Sequence, residues 1–164
     1  MKKYEFTGET KRVELWNRTA TLHRIKATVE FGFVKVGELG GWIEKEENLS
    51  HEGKAWVWGN AKVCGDAKVW GNAKVWGNAN VCGNAEVFLA SHVLVMGSVG
   101  SRNDFTTFFR DKDNEITVKC GCFLGKIDKF LEKVTQTHGN NKYALVYRAA
   151  VEVAKLQIEL TERK

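Results

Sequence analysis

The most regular hydrophobic pattern in the chain is a six-residue period between residues 55 and 96. From Ala55 the phrases are AWVWGN, AKVCGD, AKVWGN, AKVWGN, ANVCGN and AEVFLA, followed by the less regular SHVLVM. Val and the small Ala recur at fixed places, while one position varies among Trp, Cys and Phe. A short fixed period predicts units that cannot bury their own apolar side chains and must stack on one another.

The phrase also predicts which residues face outward. Because neighbouring residues of a strand point to opposite sides, we expect Val and Ala to face the core and the residues beside each Val to face solvent. Gly followed by Asn or Asp suits a sharp corner, since both tolerate a left-handed backbone. Burial between subunits is the favoured role of the outward aromatic residues, and stacking on a ligand ring is the alternative. These residues are Trp56, Trp58, Trp70, Trp76 and Phe88.

The V-x-G-[ND]-A-x phrase resembles the hexapeptide repeat of the transferase-hexapeptide superfamily. This resemblance implies a mainly β fold, a left-handed parallel β-helix with three hexads per triangular coil, over residues 37–102. Residues eighteen apart would then stack about 4.8 Å from each other, so aromatic residues would lie on aromatic residues and Cys64 on Cys82. FGFVKVGELGGWIEKEENLSHEGKAWVWGN and CGCFLGKIDKF are similar, more narrowly, to segments of hexapeptide-repeat proteins from phages and bacteria.

Other periodic patterns flank the repeat. KYEFT and TLHRIKATVEFGFV alternate as strands do and predict an N-terminal β-hairpin, residues 1–36, that caps the first coil. FTTFF and EITVKCGCF predict two strands around the turn DKDN. KIDKFLEKVTQTH, which Gly139 would end, and YALVYRAAVEVAKLQIEL have helical spacing. Residues 103–164 are therefore expected to form a small C-terminal ββαα module.

Composition narrows the classes of partner. The 164 residues include 25 Lys and Arg against 20 Asp and Glu, a net charge of +5 that favours anionic partners. Basic residues alternate with acidic ones, as in FRDKDNE, so a nucleic-acid partner is not predicted. MKKYEFTGETKR lacks an apolar run, and no membrane span follows, so we expect a cytoplasmic protein of a bacterial host cell with reduced cysteines.

The segment around GSRNDFTTFFR concentrates groups that bind anions. Arginine can form two parallel hydrogen bonds to a phosphate, and threonine hydroxyls and lysines add further donors. A helix that starts near Lys126 would add backbone N–H groups. A solvated basic hairpin is an equally open alternative. The predicted ligand-binding residues are Arg102, Thr106, Thr107, Arg110, Lys119 and Lys126.

The resemblance also raises the possibility of acyl transfer, in which His92 would act as an outward-facing general base. No loop interrupts residues 55–96 to shape an acyl-donor site, and no carboxylate is in register to orient this histidine. We therefore predict no catalytic residue. An acyltransferase that uses acyl-CoA remains the alternative.

Metal binding is not favoured by the cysteine pattern. Cys64 and Cys82 have no further ligands in the repeat, so we interpret them as small residues that fill a flat face. Cys120, Cys122 and His138 are a better zinc candidate, but a tetrahedral site needs a fourth ligand that the sequence does not supply. No cofactor is predicted.

These observations predict a homo-oligomer, with a trimer favoured, that captures a small anionic ligand at subunit junctions without catalysis. The ligand would be a nucleotide, such as an immune signal that a phage protein sequesters. Arg102, Arg110 and Lys126 would bind phosphate while a Trp or Phe stacks on the base. A purely structural assembly protein is a further alternative.

Overall fold

The N-terminal part of the chain forms a long hairpin that continues into the repeats. The structure, a computed structural model, describes residues 2–15 and 17–160. The first two strands pair with each other antiparallel, and the second also pairs antiparallel with the third. The predicted hairpin is thus confirmed, and it is longer than its sequence pattern suggested. The strands are β1 (Tyr4–Leu15), β2 (Arg18–Ala27) and β3 (Leu39–Ile43).

Each repeat phrase contributes a two-residue strand. Parallel pairs join β4 to β7, β5 to β8 and β6 to β9, so residues 18 positions apart, such as Trp56 and Lys74, are in register. The repeat Val and Ala residues are buried in one continuous core. The predicted register and core are confirmed. The strands are β4 (Trp56–Val57), β5 (Lys62–Val63), β6 (Lys68–Val69), β7 (Lys74–Val75), β8 (Asn80–Val81) and β9 (Glu86–Val87).

The predicted fold class is wrong. The protein is mixed, with 42% strand and 22% helix, and does not form the mainly β left-handed parallel β-helix expected over residues 37–102. The strands of the described residues form separate sheets of five, four, two and two strands, and none of these sheets is closed. Short 3-10 helices, Glu46–Asn48 and Ala90–His92, interrupt the chain at either side of the repeats.

A four-stranded antiparallel sheet and two helices complete the chain. β10 (Val93–Val99) pairs with β11 (Asp104–Arg110), although the sequence placed the former among the repeats. The run EITVKCGCF divides at a turn into β12 (Ile116–Cys120) and β13 (Phe123–Lys126). Two amphipathic helices follow, as predicted, and the first ends at Gly139, whose φ is 60°. These are α1 (Ile127–His138) and α2 (Lys142–Gln157).

Strand β11 connects the two halves of the protein. Phe108 packs with Val118 and Phe130 beneath the helices, whereas Phe109 belongs to the core of the repeats. Adjacent residues of a strand point to opposite faces, so this sheet lies between the repeats and the helices. In the part of the chain that the structure describes, neither helix has the length and apolar character that a membrane crossing requires.

Candidate functional site

The predicted outward position of Trp56 is wrong. This side chain is fully buried, with Tyr4 at 6.3 Å and Phe31 at 5.3 Å between ring centroids, both in edge contact. Both covering rings come from the segment that precedes the repeats. The N-terminal segment therefore covers Trp56, which the repeat pattern alone would place at the surface.

The other repeat aromatics pair as their register predicted. Trp70 stacks on Phe88 with 5.0 Å between ring centroids and an interplanar angle of 26°. The Arg110 guanidinium covers this pair, 5.1 Å from the Phe88 ring. Trp58 and Trp76 lie 5.5 Å apart at 43°, and Trp76 is 53% exposed. Of these four side chains Trp76 is the exposed one, and Trp58, Trp70 and Phe88 are half-buried.

A groove lies beside the pair of Trp58 and Trp76. Its volume is about 420 Å³. We call it the aromatic groove. Its lining residues are Gly32, Phe33, Val34, Lys54, Trp58, Asn72 and Lys74.

One wall of the aromatic groove is a tight turn. Phe31 and Val34 exchange backbone hydrogen bonds of 3.1 and 2.8 Å, which leaves two residues at the tip. Gly32 has a φ of 51°, a conformation that glycine adopts without strain. Phe33 follows and is 86% exposed. The buried Val34 anchors the turn, so an exposed ring is held at a fixed place.

The opposite wall supplies positive charge. Lys74 lies in β7, and its Nζ is 5.6 Å from the Trp76 ring centroid and 6.0 Å from that of Phe33. Lys54 also lines the groove, beside Gly32 of the turn. Within residues 2–15 and 17–160, carboxylates form ion pairs with other lysines and arginines, and none pairs with Lys54 or Lys74. The groove thus combines aromatic rings with two cations that have no carboxylate partner in the described chain.

The predicted anion-binding residues do not form one cluster. Arg102 lies two residues before β11 and Arg110 is its last residue, and the seven residues of this strand span about 20 Å. Thr106 and Thr107 are both 1% exposed and face opposite sides of that strand. Thr107 accepts a hydrogen bond from Asn80 N at 2.9 Å, and Thr106 donates to Cys120 Sγ at 3.4 Å. Both hydroxyls are therefore part of the packing.

Arg110 and Lys119 of this set donate hydrogen bonds to groups of the protein. Arg110 donates from Nη1 to Glu86 O at 2.7 Å and from Nε to Asn114 Oδ1 at 3.1 Å. Lys119 Nζ donates to the Gly121 carbonyl. Arg102 is exposed beside that glycine.

Lys126 is surrounded by acidic groups. Its Nζ lies 3.1 Å from Asp111 Oδ2, 2.9 Å from Asp113 Oδ2 and 3.7 Å from Glu115 Oε1. Three carboxylates already compensate one ammonium. A phosphate at this position would have to displace them.

His92 does not face outward, which corrects the prediction. It is fully buried, and its Nδ1 accepts hydrogen bonds from Phe88 N at 3.1 Å and Leu89 N at 3.2 Å. Burial and the charge of Arg110 lower the pKa of His92 to about 4. An Nδ1 that is occupied by two backbone donors holds the turn after β9 and cannot take a proton from a substrate.

The possible zinc ligands lie at the sheet edge near α1. Cys120, Cys122 and His138 line one shallow pocket, and His138 Nε2 is 3.3 Å from Ser101 Oγ. Among the residues the structure describes, no three His, Cys, Asp or Glu side chains are arranged to hold a metal ion.

Comparison with known proteins adds no assignment. Neither a scan of protein-family models nor a search of curated proteins finds a match to this chain. The geometry of the aromatic groove is therefore the basis for a proposed function.

Sequence reasoning identified Trp58 and Trp76 but missed Phe33, Lys54 and Lys74. A signal existed for Lys74, because it stands two residues before Trp76 and points outward in the same phrase. No comparable signal identifies Phe33, because it lies outside the period in a segment that reads as an ordinary strand. Its position depends on a turn that packs against Trp56.

Proposed function

We propose that the protein binds a small anionic ligand with a planar aromatic ring, of the nucleotide class, in the aromatic groove. The observation that supports this proposal is the combination of Phe33, Trp58 and Trp76 with Lys54 and Lys74. Rings bind a base by stacking, and each stacked base contributes roughly 1 to 3 kcal/mol. Ammonium groups without carboxylate partners are free to pair with phosphate.

The groove has a size that suits a small molecule. Its volume of about 420 Å³ lies within the range of roughly 300 to 1,000 Å³ that ligand pockets occupy. Its groups bind and orient, and we propose capture of the ligand without chemical change. The resemblance to phage proteins favours a signalling nucleotide as the ligand. This proposal keeps the predicted ligand class but replaces the predicted residues.

Isothermal titration calorimetry tests the proposal with four probes: a nucleoside monophosphate, a cyclic dinucleotide, a nucleoside and inorganic phosphate. We expect the two nucleotides to bind and to quench tryptophan fluorescence, with the nucleoside and phosphate weaker by about tenfold or more. Absence of heat and of quenching with all four probes would falsify the proposal.

The repeat offers a matched control for the site. Lys68 and Lys74 occupy the same place in two identical AKVWGN phrases, but only Lys74 lines the groove. Lys74→Ala should weaken nucleotide binding by about tenfold, whereas Lys68→Ala should leave it unchanged. An equal loss in both variants would indicate general charge attraction instead of a site.

Exposed apolar side chains around the groove favour a second candidate, an interface between copies of the chain. Phe33, Val36, Leu39 and Trp76 are 86%, 65%, 48% and 53% exposed, respectively. Exposed apolar patches of this kind are typical of interfaces. In a homo-oligomer, such as the predicted trimer, Trp76→Glu should yield monomer or aggregate by native mass spectrometry. An intact oligomer in that variant would favour ligand stacking as the role of the ring.

A further inference from the structure

The second stacked row of the repeats brings two thiols into contact. Strands β5 and β8 pair in parallel with Val63 opposite Val81, so the next residues, Cys64 and Cys82, are also neighbours. Their Sγ atoms are 2.7 Å apart, and Cys64 donates the hydrogen bond. Adjacent strands are separated by about 4.8 Å, which lies within the Cα separation of roughly 4.4 to 6.8 Å that a disulfide needs. No large backbone movement is required to join these sulfurs.

A pocket of about 240 Å³ gives small molecules access to this pair. The two cysteines are only 2% and 4% exposed, and both contribute to its wall. Arg18 and Lys119 place two cations on the same wall. A molecule as small as hydrogen peroxide fits this volume, which is many times the roughly 30 Å³ that a water molecule occupies in the liquid.

The two sulfurs differ in their tendency to ionise. The hydrogen bond from Cys64 lowers the pKa of the Cys82 thiol, burial opposes this effect, and the charge of Lys119 lowers the pKa further. The same hydrogen bond, together with burial, raises the pKa of Cys64. Since the thiolate is the reactive form of cysteine, Cys82 is the nucleophile of the pair.

We propose that Cys64 and Cys82 are a peroxide-reactive dithiol that closes to a disulfide between β5 and β8. The Cys82 thiolate attacks one peroxide oxygen and the O–O bond breaks, which leaves a sulfenic acid on Cys82 and a hydroxide that takes up the proton Cys82 had released. The Cys64 sulfur then attacks the Cys82 sulfur, and its proton leaves with the displaced oxygen as a second water. Two thiols lose two electrons and two protons, and one peroxide becomes two waters.

The remaining cysteines do not share this arrangement. Cys120 is half-buried and accepts a hydrogen bond from Thr106, whereas Cys122 is exposed in the turn between β12 and β13. An exposed cysteine without a partner thiol in contact is expected to form higher oxidation products. The same oxidant should therefore form a disulfide between Cys64 and Cys82 but higher oxidation products on Cys122.

Intact and peptide mass spectrometry of the full chain tests the proposal. After reduction and removal of reductant, titration with hydrogen peroxide should lower the mass by about 2 Da and link the peptides that carry Cys64 and Cys82. At limiting peroxide, about one equivalent per chain, the thiols titrated in denaturant should fall from four to two and return with dithiothreitol. The melting temperature should rise on oxidation, because the link constrains the unfolded chain.

Two variants provide controls. A Cys120→Ser, Cys122→Ser double variant should still lose about 2 Da, and Cys64→Ser should not, giving instead an oxygen adduct on Cys82 of about 16 Da or more. Circular dichroism verifies that each variant is folded. Oxidation confined to Cys120 or Cys122, with no link between residues 64 and 82 in the wild-type chain, overturns the proposal.

Discussion

Two identical phrases, AKVWGN at residues 67–72 and at 73–78, end in different surroundings. Trp70 of the first phrase stacks on Phe88 beneath Arg110, whereas Trp76 of the second stands 53% exposed beside the aromatic groove. The two copies also differ in register, because β6 pairs with the later strand β9 whereas β7 pairs with the earlier strand β4. Both the strand that pairs with each copy and the segments outside the repeat therefore contribute to the difference.

The row of Cys64 and Cys82 extends this comparison to a third set of surroundings. Ala20 and Leu22 of β2 pack over these thiols in a small apolar cluster. A single repeat thus supports one row covered by the hairpin, one row that contacts Arg110 of the C-terminal sheet, and one row that is buried at Trp56 and exposed at Trp76. The flanking segments therefore decide which side chains of the repeat stay exposed.

The largest expected difference in stability among the repeat tryptophans is between Trp56→Ala and Trp76→Ala, because Trp56 is buried and Trp76 is exposed. Trp56→Ala removes a fully buried ring, and such substitutions cost about 3 to 5 kcal/mol of the free energy of unfolding. Trp76→Ala should change the free energy of unfolding by about 0.5 kcal/mol or less. Urea denaturation of both variants measures the difference. Equal losses would mean that the row of Trp76 is covered in solution, as in an oligomer.

A second expected effect depends on His92, which contacts Phe88 edge-on at 4.5 Å between ring centroids and so supports the row of Trp70 and Phe88. The pKa of His92 is lowered to about 4, from 6.5. Above pH 6.5 the imidazole is neutral in both states. Between pH 6.5 and 4 mainly the unfolded chain takes up the proton, so the free energy of unfolding falls as pH decreases, by on the order of 3 kcal/mol in total.

His92→Asn is the matched variant for this effect. The Asn Oδ1 can accept the hydrogen bonds from the Phe88 and Leu89 amides, but it does not titrate. Urea midpoints measured from pH 4 to 7 should therefore depend less on pH in the variant than in the wild type. The same slope in both proteins would show that other groups cause the acid sensitivity.

The register of the core could be predicted because it depends on a local period. Val57 and Val75 face inward for the same reason in every phrase, and their pairing follows from the period alone. The fold class could not be predicted from that period, because the period does not specify how the flanks pair. Val93–Val99 keeps an alternating pattern that suits either a repeat or a strand, and its pairing with β11 decides between them.

The candidate site was predictable only in part for a related reason. Trp58 and Trp76 belong to the period, and their contact follows from it. The burial of Trp56 depends on Tyr4, more than fifty residues earlier, and the exposure of Phe33 depends on a turn anchored by Val34. Contacts between segments so distant in sequence leave no periodic signal in either one.

A smaller effect is expected when the identical phrases are compared directly. Trp70→Ala removes a stacked pair, and aromatic pairs contribute about 0.5 to 1.5 kcal/mol beyond the area they bury. Trp76→Ala should cost less, because the contact of Trp76 with Trp58 is tilted and the ring is 53% exposed. The two variants differ only in which copy of AKVWGN they change. Equal midpoints in urea would contradict the inference that the C-terminal sheet stabilises the first copy selectively.

The smallest expected effect on stability concerns the ion pair that holds the hairpin over the cysteine row. Arg18 donates two hydrogen bonds to the Glu44 carboxylate, at 2.6 and 2.8 Å, and Glu44 also accepts one from Gly65 N at 2.8 Å, next to Cys64. Arg18→Ala should cost about 1 kcal/mol or less, because the pair is partly exposed.

The same substitution should have a larger effect on access to the thiols. Arg18 forms part of the wall of the pocket beside Cys64 and Cys82, so its removal should increase the rate at which a thiol reagent modifies them in the folded protein. Lys2→Ala, which breaks an exposed ion pair with Glu46, is the control and should leave that rate unchanged. An unchanged rate in Arg18→Ala would mean that thiol access depends on opening of the whole hairpin and not on this ion pair.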